Sequence, residues 1–166
     1  IQNFTWISYM GIISDEITKE IRCNEFSPNR FITLLGHRNS SLDDVRDAYT
    51  HTINVLQRKI YGRYGQKIKH MAIAETGHQH FESGKGSHIH SVMDCDESIL
   101  SIEEWMLMIK EVWSKTEIGT GISLVEDIRF ASETWFKSIY DLDGVIGYCF
   151  KNCKNADQYE YIGMRY

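Results

Sequence analysis

The segment from Glu75 to Asp94, ETGHQHFESGKGSHIHSVMD, carries four histidines and several carboxylates around a glycine-rich turn. A phosphate-cradling loop is excluded first. That chemistry needs GxxxxGK followed by Ser or Thr, whereas Gly84-Lys85 is followed by Gly86 and Gln79 stands where the first glycine belongs. Metal ligation fits better. In a strand, residues two apart point the same way, so His88 and His90 share one face while Ile89 and Met93 turn to the other. A hairpin centred on Gly84 would set His80 opposite His88 and His78 opposite His90. Cross-strand Cβ atoms lie roughly 5 Å apart, close enough to share a cation. The expected ligands are therefore His80, His88 and His90. Glu75 and His78 are the alternatives, with Glu75 ranked lower because alternation groups it with Met71 and Ile73 on the presumed core face. His37, His51 and His70 read as surface or structural.

The second chemical candidate is Tyr148 with Lys151 in YCFK. Three residues apart on a helix, they share a face. A phenol with pKa near 10 is a weak nucleophile at neutral pH, and a neighbouring cation favours the phenolate. YxxK is common, and on its own it means only an aromatic ring and a snorkelling lysine on an amphipathic helix. A third candidate is the basic cluster Arg58, Lys59, Arg63, Lys67 and Lys69. Such runs are usually solvated helix ends. Beside a phosphodiester site they would instead follow a nucleic-acid backbone.

These residues need elements to hold them. RFITLLGHR reads as a buried strand, preceded by Pro28 and ended by Gly36. The run beginning at Asn39 reads as a helix from a capping box of Ser41 and Asp44, with apolar residues from Leu42 to Ile60 at helical spacing. IKHMAIAET and SHIHSVMD read as strands. Ser101 and Glu104 open a helix whose inner face is Trp105, Met108, Ile109, Val112 and Trp113. GISLVEDIRF reads as a fourth strand, ETWFKSIY and LDGVIGYCFKNCK as helices, and DQYEYIGMRY as a closing strand. Residues 1–29 are weakly patterned, FTWISYMGII being strand-like or the end of something removed. The expected fold is a single α+β domain: a central antiparallel sheet with helices on one face and the other face free for a site.

At 166 residues the chain supports one core. It has no apolar run of the ~20 residues a membrane span needs and no signal-peptide pattern. The four cysteines form no CxxC pair, so reduced thiols in a cytoplasmic protein are expected. A net charge of −5 counts against a nucleic-acid binder unless the basic cluster acts locally. The chain opens on Ile1 and not on Met, so the sequence leaves open whether the native chain is longer.

Taken together, FITLLGHR, GKGSHIHSVM and YCFK resemble, in order, the three motifs of the HUH endonucleases, in particular the single-tyrosine replication initiators of rolling-circle plasmids, phages and small DNA viruses. The resemblance spans residues 31 to 151. It implies a ferredoxin-like, RRM-like sheet of about five strands. It also implies metal-dependent nicking and joining of single-stranded DNA through a 5′-phosphotyrosine on Tyr148, with Lys151 tuning the phenol or the phosphate charge. The metal would be Mn²⁺ or Mg²⁺, with Zn²⁺ also suited to imidazole ligands. The family places a third polar ligand about eight residues before the first histidine, which here is His80; its frequent glutamate there keeps Glu75 and Glu82 in play. The implied substrate is a hairpin origin in a bacterial or archaeal cell or in the host of a virus or plasmid, and any helicase domain would lie outside this chain. Two other classes compete: a non-catalytic nucleic-acid-binding module on the same fold, and a metal-dependent phosphohydrolase using water.

Overall fold

The computed structural model describes residues 2–76, 86–151 and 159–165, with side chains described for residues 11–76, 86–150 and 161–163. Its elements run α1 (Gln2–Cys23), β1 (Arg30–Leu35), α2 (Leu42–Ile60), β2 (His70–Glu75), β3 (His88–Met93), α3 (Ile102–Ser114), α4 (Ile128–Ala131), β4 (Phe136–Ser138), α5 (Leu142–Lys151) and β5 (Tyr159–Arg165). All strand pairs are antiparallel and the order across the sheet is β4-β1-β3-β2-β5. The β1-α2-β2-β3-α3-β4 portion is the split βαβ arrangement of ferredoxin-like folds, with β5 added beside β2. The five-stranded antiparallel α+β architecture expected from the sequence is therefore present.

Both capping boxes form. The Ser41 hydroxyl accepts from the Asp44 amide and the Asp44 carboxylate accepts from the Ser41 amide; Ser101 and Glu104 repeat the exchange. Val45, Tyr49, Ile53 and Leu56 from α2, and Trp105, Ile109, Val112 and Trp113 from α3, pack with Ile32, Leu34, Ala72, Ala74, Ile89 and Met93 of the sheet. Where β2 meets β5 the register shifts between Ala72 and Ile73, leaving Ile162 as the extra residue. Gly163, at φ 107°, takes the left-handed backbone conformation that this bulge requires.

The opposite sheet face is not bare, as the one-sided arrangement required. Phe31, Met71, Ile73 and Val92 form a second core with Ile17 and Ile21 of α1 and Ile146, Cys149 and Phe150 of α5. The weakly patterned N-terminal segment is thus a helix. Ile13, Ile17 and Ile21, four residues apart, form its packed stripe, and Arg22 pairs with Asp143 of α5 at 2.8 Å.

Two further expectations are corrected. GISLVEDIRF is not a strand: Asp127 caps the short α4 by accepting from the Arg129 amide, and the preceding Val125 carbonyl accepts from the Trp135 indole instead of a neighbouring strand. ETWFKSIY is not a helix: Phe136, Lys137 and Ser138 pair with Ile32, Phe31 and Arg30 as an edge strand. Three residues are too few for alternation to show, and the two adjacent aromatics Trp135 and Phe136 both fall on buried positions.

The core can be tested by contrast. Ile89→Ala removes a fully buried side chain from the central strand β3 and should cost about 2–5 kcal/mol. Ser101→Ala removes only a cap and should cost about 1 kcal/mol. Urea unfolding should rank them in that order, and equal effects would contradict the packing described.

Candidate metal centre

The β2–β3 register decides which side chains meet. Glu75 lies opposite His88, and Ile73 lies opposite His90. Because side chains alternate along each strand, Glu75, His88 and His90 all project from the face that carries Met71, Ile73 and Val92. The expected register centred on Gly84 is overturned, and Glu75, ranked below His80 as an alternative ligand, lies across from His88. Glu75 does share a face with Met71 and Ile73, and that face holds both a second core and the Glu75, His88 and His90 cluster. His78, His80 and Glu82 lie outside the described residues.

Gly86 guides the chain into β3. A Cβ there would collide with the His37 carbonyl, so only glycine permits this close passage. Next, the Ser87 carbonyl accepts from the Gly36 amide at 3.0 Å, and the Ser87 hydroxyl donates to the Ser40 carbonyl at 2.7 Å. These bonds lock the start of β3 to the end of β1, immediately before His88.

The Glu75 carboxylate Oε2 lies 3.4 Å from His88 Nε2 and 3.4 Å from His90 Nε2, and the two Nε2 atoms are 3.1 Å apart. One donor atom from each residue thus falls within a sphere small enough for a single ion. Glu75 and His90 are buried, and the His88 side chain is only 14 % exposed. Burial pushes the Glu75 carboxyl up, but hydrogen bonds and positive charge from His88 and His90 outweigh it and hold the group down at about 2. Burial also lowers the His90 imidazole below its usual range, opposed by its bond to Glu75. At neutral pH the trio therefore offers an anionic oxygen and a neutral His90 ring, the protonation states a divalent cation needs. His88 Nδ1 is buried with no hydrogen-bond partner among the described residues.

Two residues overlooked in the sequence complete the setting, both from β1. Thr33 is the cross-strand partner of His90 and its Oγ1 lies 3.2 Å from His90 Nδ1. With Nε2 given to a metal, Nδ1 carries the proton and donates it to this hydroxyl, fixing tautomer and ring orientation. Phe31 stacks on the His90 ring with centroids 5.5 Å apart and planes 22° apart. The signal was available in FIT, where two-residue alternation puts Phe31 and Thr33 on one face.

Tyr148 stands on the exposed side of α5, 49 % accessible, while Ile146, Cys149 and Phe150 anchor the helix beneath. Its ring is 5.6 Å from His90 and 5.9 Å from Phe31, edge-on to both. The structure thus brings the tyrosine of YCFK to the histidine pair. The Lys151 side chain lies outside the described residues. The basic cluster is not brought there: Arg58, Lys59, Arg63, Lys67 and Lys69 sit around the end of α2 and the approach to β2, at the opposite end of that strand from Glu75. There Arg58, Arg63 and Lys67 line an open cleft with His51 and Gln57, Lys59 pairs with Glu111 at 3.5 Å, and Lys69 donates to the Glu25 carbonyl. An exposed cation that does stand on the site face is Lys137, the cross-strand partner of Phe31.

Comparison of this chain with protein-family models, curated proteins and solved structures found no match.

Titration calorimetry with Mn²⁺ tests the centre. Glu75→Ala, His88→Ala and His90→Ala should each weaken binding by more than the roughly 10–100-fold expected for loss of an outer partner, Thr33→Val should fall within that range, and Thr33→Ser should restore affinity. Acidification should also weaken binding, because protons compete for the imidazole nitrogens while Glu75 stays ionised down to about pH 2. Parental affinity in Glu75→Ala would exclude this centre.

Proposed function

We propose that the chain is a metal-dependent nuclease that nicks and rejoins single-stranded DNA through a tyrosine. The observation that carries this reading is the placement of a half-exposed Tyr148 against His90, at the rim of a buried Glu-His-His trio. The donor set fits a divalent cation: two imidazole nitrogens and one carboxylate leave coordination positions open, and their mixed chemistry suits Mn²⁺ or Zn²⁺, with Mg²⁺ available by abundance. A cation bound there supplies Lewis-acid polarisation of a phosphate oxygen.

The protein's own groups do the rest. Glu75, His88 and His90 are held by paired strands, so little reorganisation accompanies binding. Tyr148 attacks phosphorus through Oη; its proton leaves to solvent, the P–O3′ bond breaks, and the departing oxygen takes up a proton to become the 3′-hydroxyl. The phosphotyrosine conserves the ester for rejoining, which hydrolysis by water would not. Lys151, one turn on, is assigned to favour the phenolate or offset phosphate charge. Exposed Lys137 on the same face is suited to a backbone phosphate. The Arg58 to Lys69 cluster, at the far end of β2, would bind the strand at a distance from the cut.

Incubation with single-stranded DNA and Mn²⁺, followed by denaturing electrophoresis, should give a covalent protein–DNA adduct mapping to Tyr148. Tyr148→Phe should abolish it while metal affinity stays parental. Cleavage that survives Tyr148→Phe would replace this reading with a water-using phosphohydrolase, and binding without cleavage would leave only a binding module.

A further inference from the structure

Beside Tyr148 the surface opens into a groove of about 320 Å³, at the lower end of the range for ligand sites of about 300–1,000 Å³. It is lined by Phe31 and Ser138 from the sheet, Tyr140 and Asp141 from the loop before α5, and Val145 and Tyr148 from the helix. Tyr140 is 96 % exposed, and no hydrogen bond or ring contact holds it among the described residues. A large ring so fully in water at the mouth of a groove is ready to stack on a ligand.

We propose that this groove takes one unpaired base of the DNA strand, the base adjoining the phosphate presented to Tyr148. The proposal rests on the nuclease reading above and adds to it a base-recognition site. Three observations select the occupant. The groove and the metal centre share Phe31 and Tyr148, so a strand engaged at one reaches the other with its next nucleotide. Aromatic rings on two sides suit a planar π face, which stacks without regard to sequence. The charged lining residue is an acid, Asp141, which repels a phosphate and so assigns the groove to base rather than backbone.

Asp141 also adds selectivity. Its Oδ1 accepts from the Gly144 amide at 3.0 Å, capping α5 and fixing the carboxylate in place. Oδ2 remains to accept from an exocyclic amine, which cytosine, adenine and guanine offer and thymine lacks. The groove therefore stacks on Tyr140 and prefers an amino-bearing base. Tyr140 thereby has a role distinct from attack, although it is the tyrosine nearest in sequence to Tyr148.

The test uses the full chain carrying Tyr148→Phe, so that binding is read without chemistry, and fluorescence anisotropy with short labelled oligonucleotides. Tyr140→Ala should weaken binding of oligo(dC) about tenfold, and Tyr140→Phe should restore it, because the ring and not the hydroxyl stacks. Oligo(dC) should bind more tightly than oligo(dT), and Asp141→Asn should narrow that gap. Since Asp141 also caps α5, far-ultraviolet circular dichroism must show the helix content unchanged; if it falls, Ser added as Asp141→Ser keeps a cap without the charge and should narrow the gap equally. Parental binding by Tyr140→Ala, tighter binding of oligo(dT), or equal preference for the matching RNA oligomers with no effect of Tyr140 would overturn the groove. The nuclease reading is judged separately, by the adduct on unmodified Tyr148. Its absence alongside Tyr140-dependent binding would sink the nuclease reading and leave a base-binding groove.

Discussion

The alignment of β2 with β3 is the constraint on which the rest depends. With Glu75 opposite His88, three polar side chains share one face at the same end of the sheet. A slip of one residue would turn all of β2 over and send Glu75 to the other face, the one that carries Ile89 of β3 and Ile32 and Leu34 of β1. A buried carboxylate there would have no partner, a penalty of several kcal/mol. The apolar residues on both faces of β2 and β3 therefore specify the register, and the register assembles the trio. The same packing that holds the sheet together holds the three side chains in place.

Covering both sheet faces gives each helix pair a different task. The α2–α3 layer buries the larger core and fixes the sheet. The α1–α5 layer packs on Phe31, Met71, Ile73 and Val92 of the second face, beside the end that carries Glu75, His88 and His90. α5 thereby becomes a platform that presents Tyr148 at the edge of its own packed surface, with Asp143 tied to Arg22 of α1. On the covered side, Tyr49 Oη bonds Ser91 Oγ at 2.7 Å and His70 Nδ1 at 3.0 Å. Ser91 lies between His90 and Val92 but faces the other way, so its hydroxyl is satisfied within the core and β3 is pinned from behind.

Much of this was legible in the sequence because it rests on local chemistry. Capping boxes at Ser41 and Ser101 announce their helices, and HIH announces a strand face bearing two imidazoles. What was misread depends on distant partners. Glu75 ranks below His80 in the sequence because alternation puts it with Met71 and Ile73 on the presumed core face, and only the placement of α1 and α5 shows that this face holds both a core and the Glu75, His88 and His90 cluster. The α1 stripe of Ile13, Ile17 and Ile21 has a use only once α5 is beside it. β4 pairs through three residues, a length at which neither helical nor strand periodicity can be told from the run of letters. Thr33 is an ordinary strand residue until His90 is known to lie across from it.

The central claim is that Glu75, His88 and His90 converge to hold one divalent cation beside Tyr148. Anomalous diffraction from a Mn²⁺-soaked crystal tests this most directly. The account predicts one strong peak within bonding distance, about 2.0–2.3 Å, of Glu75 Oε2, His88 Nε2 and His90 Nε2. A peak ligated by other residues, or none at this position with the protein saturated in Mn²⁺, would contradict it.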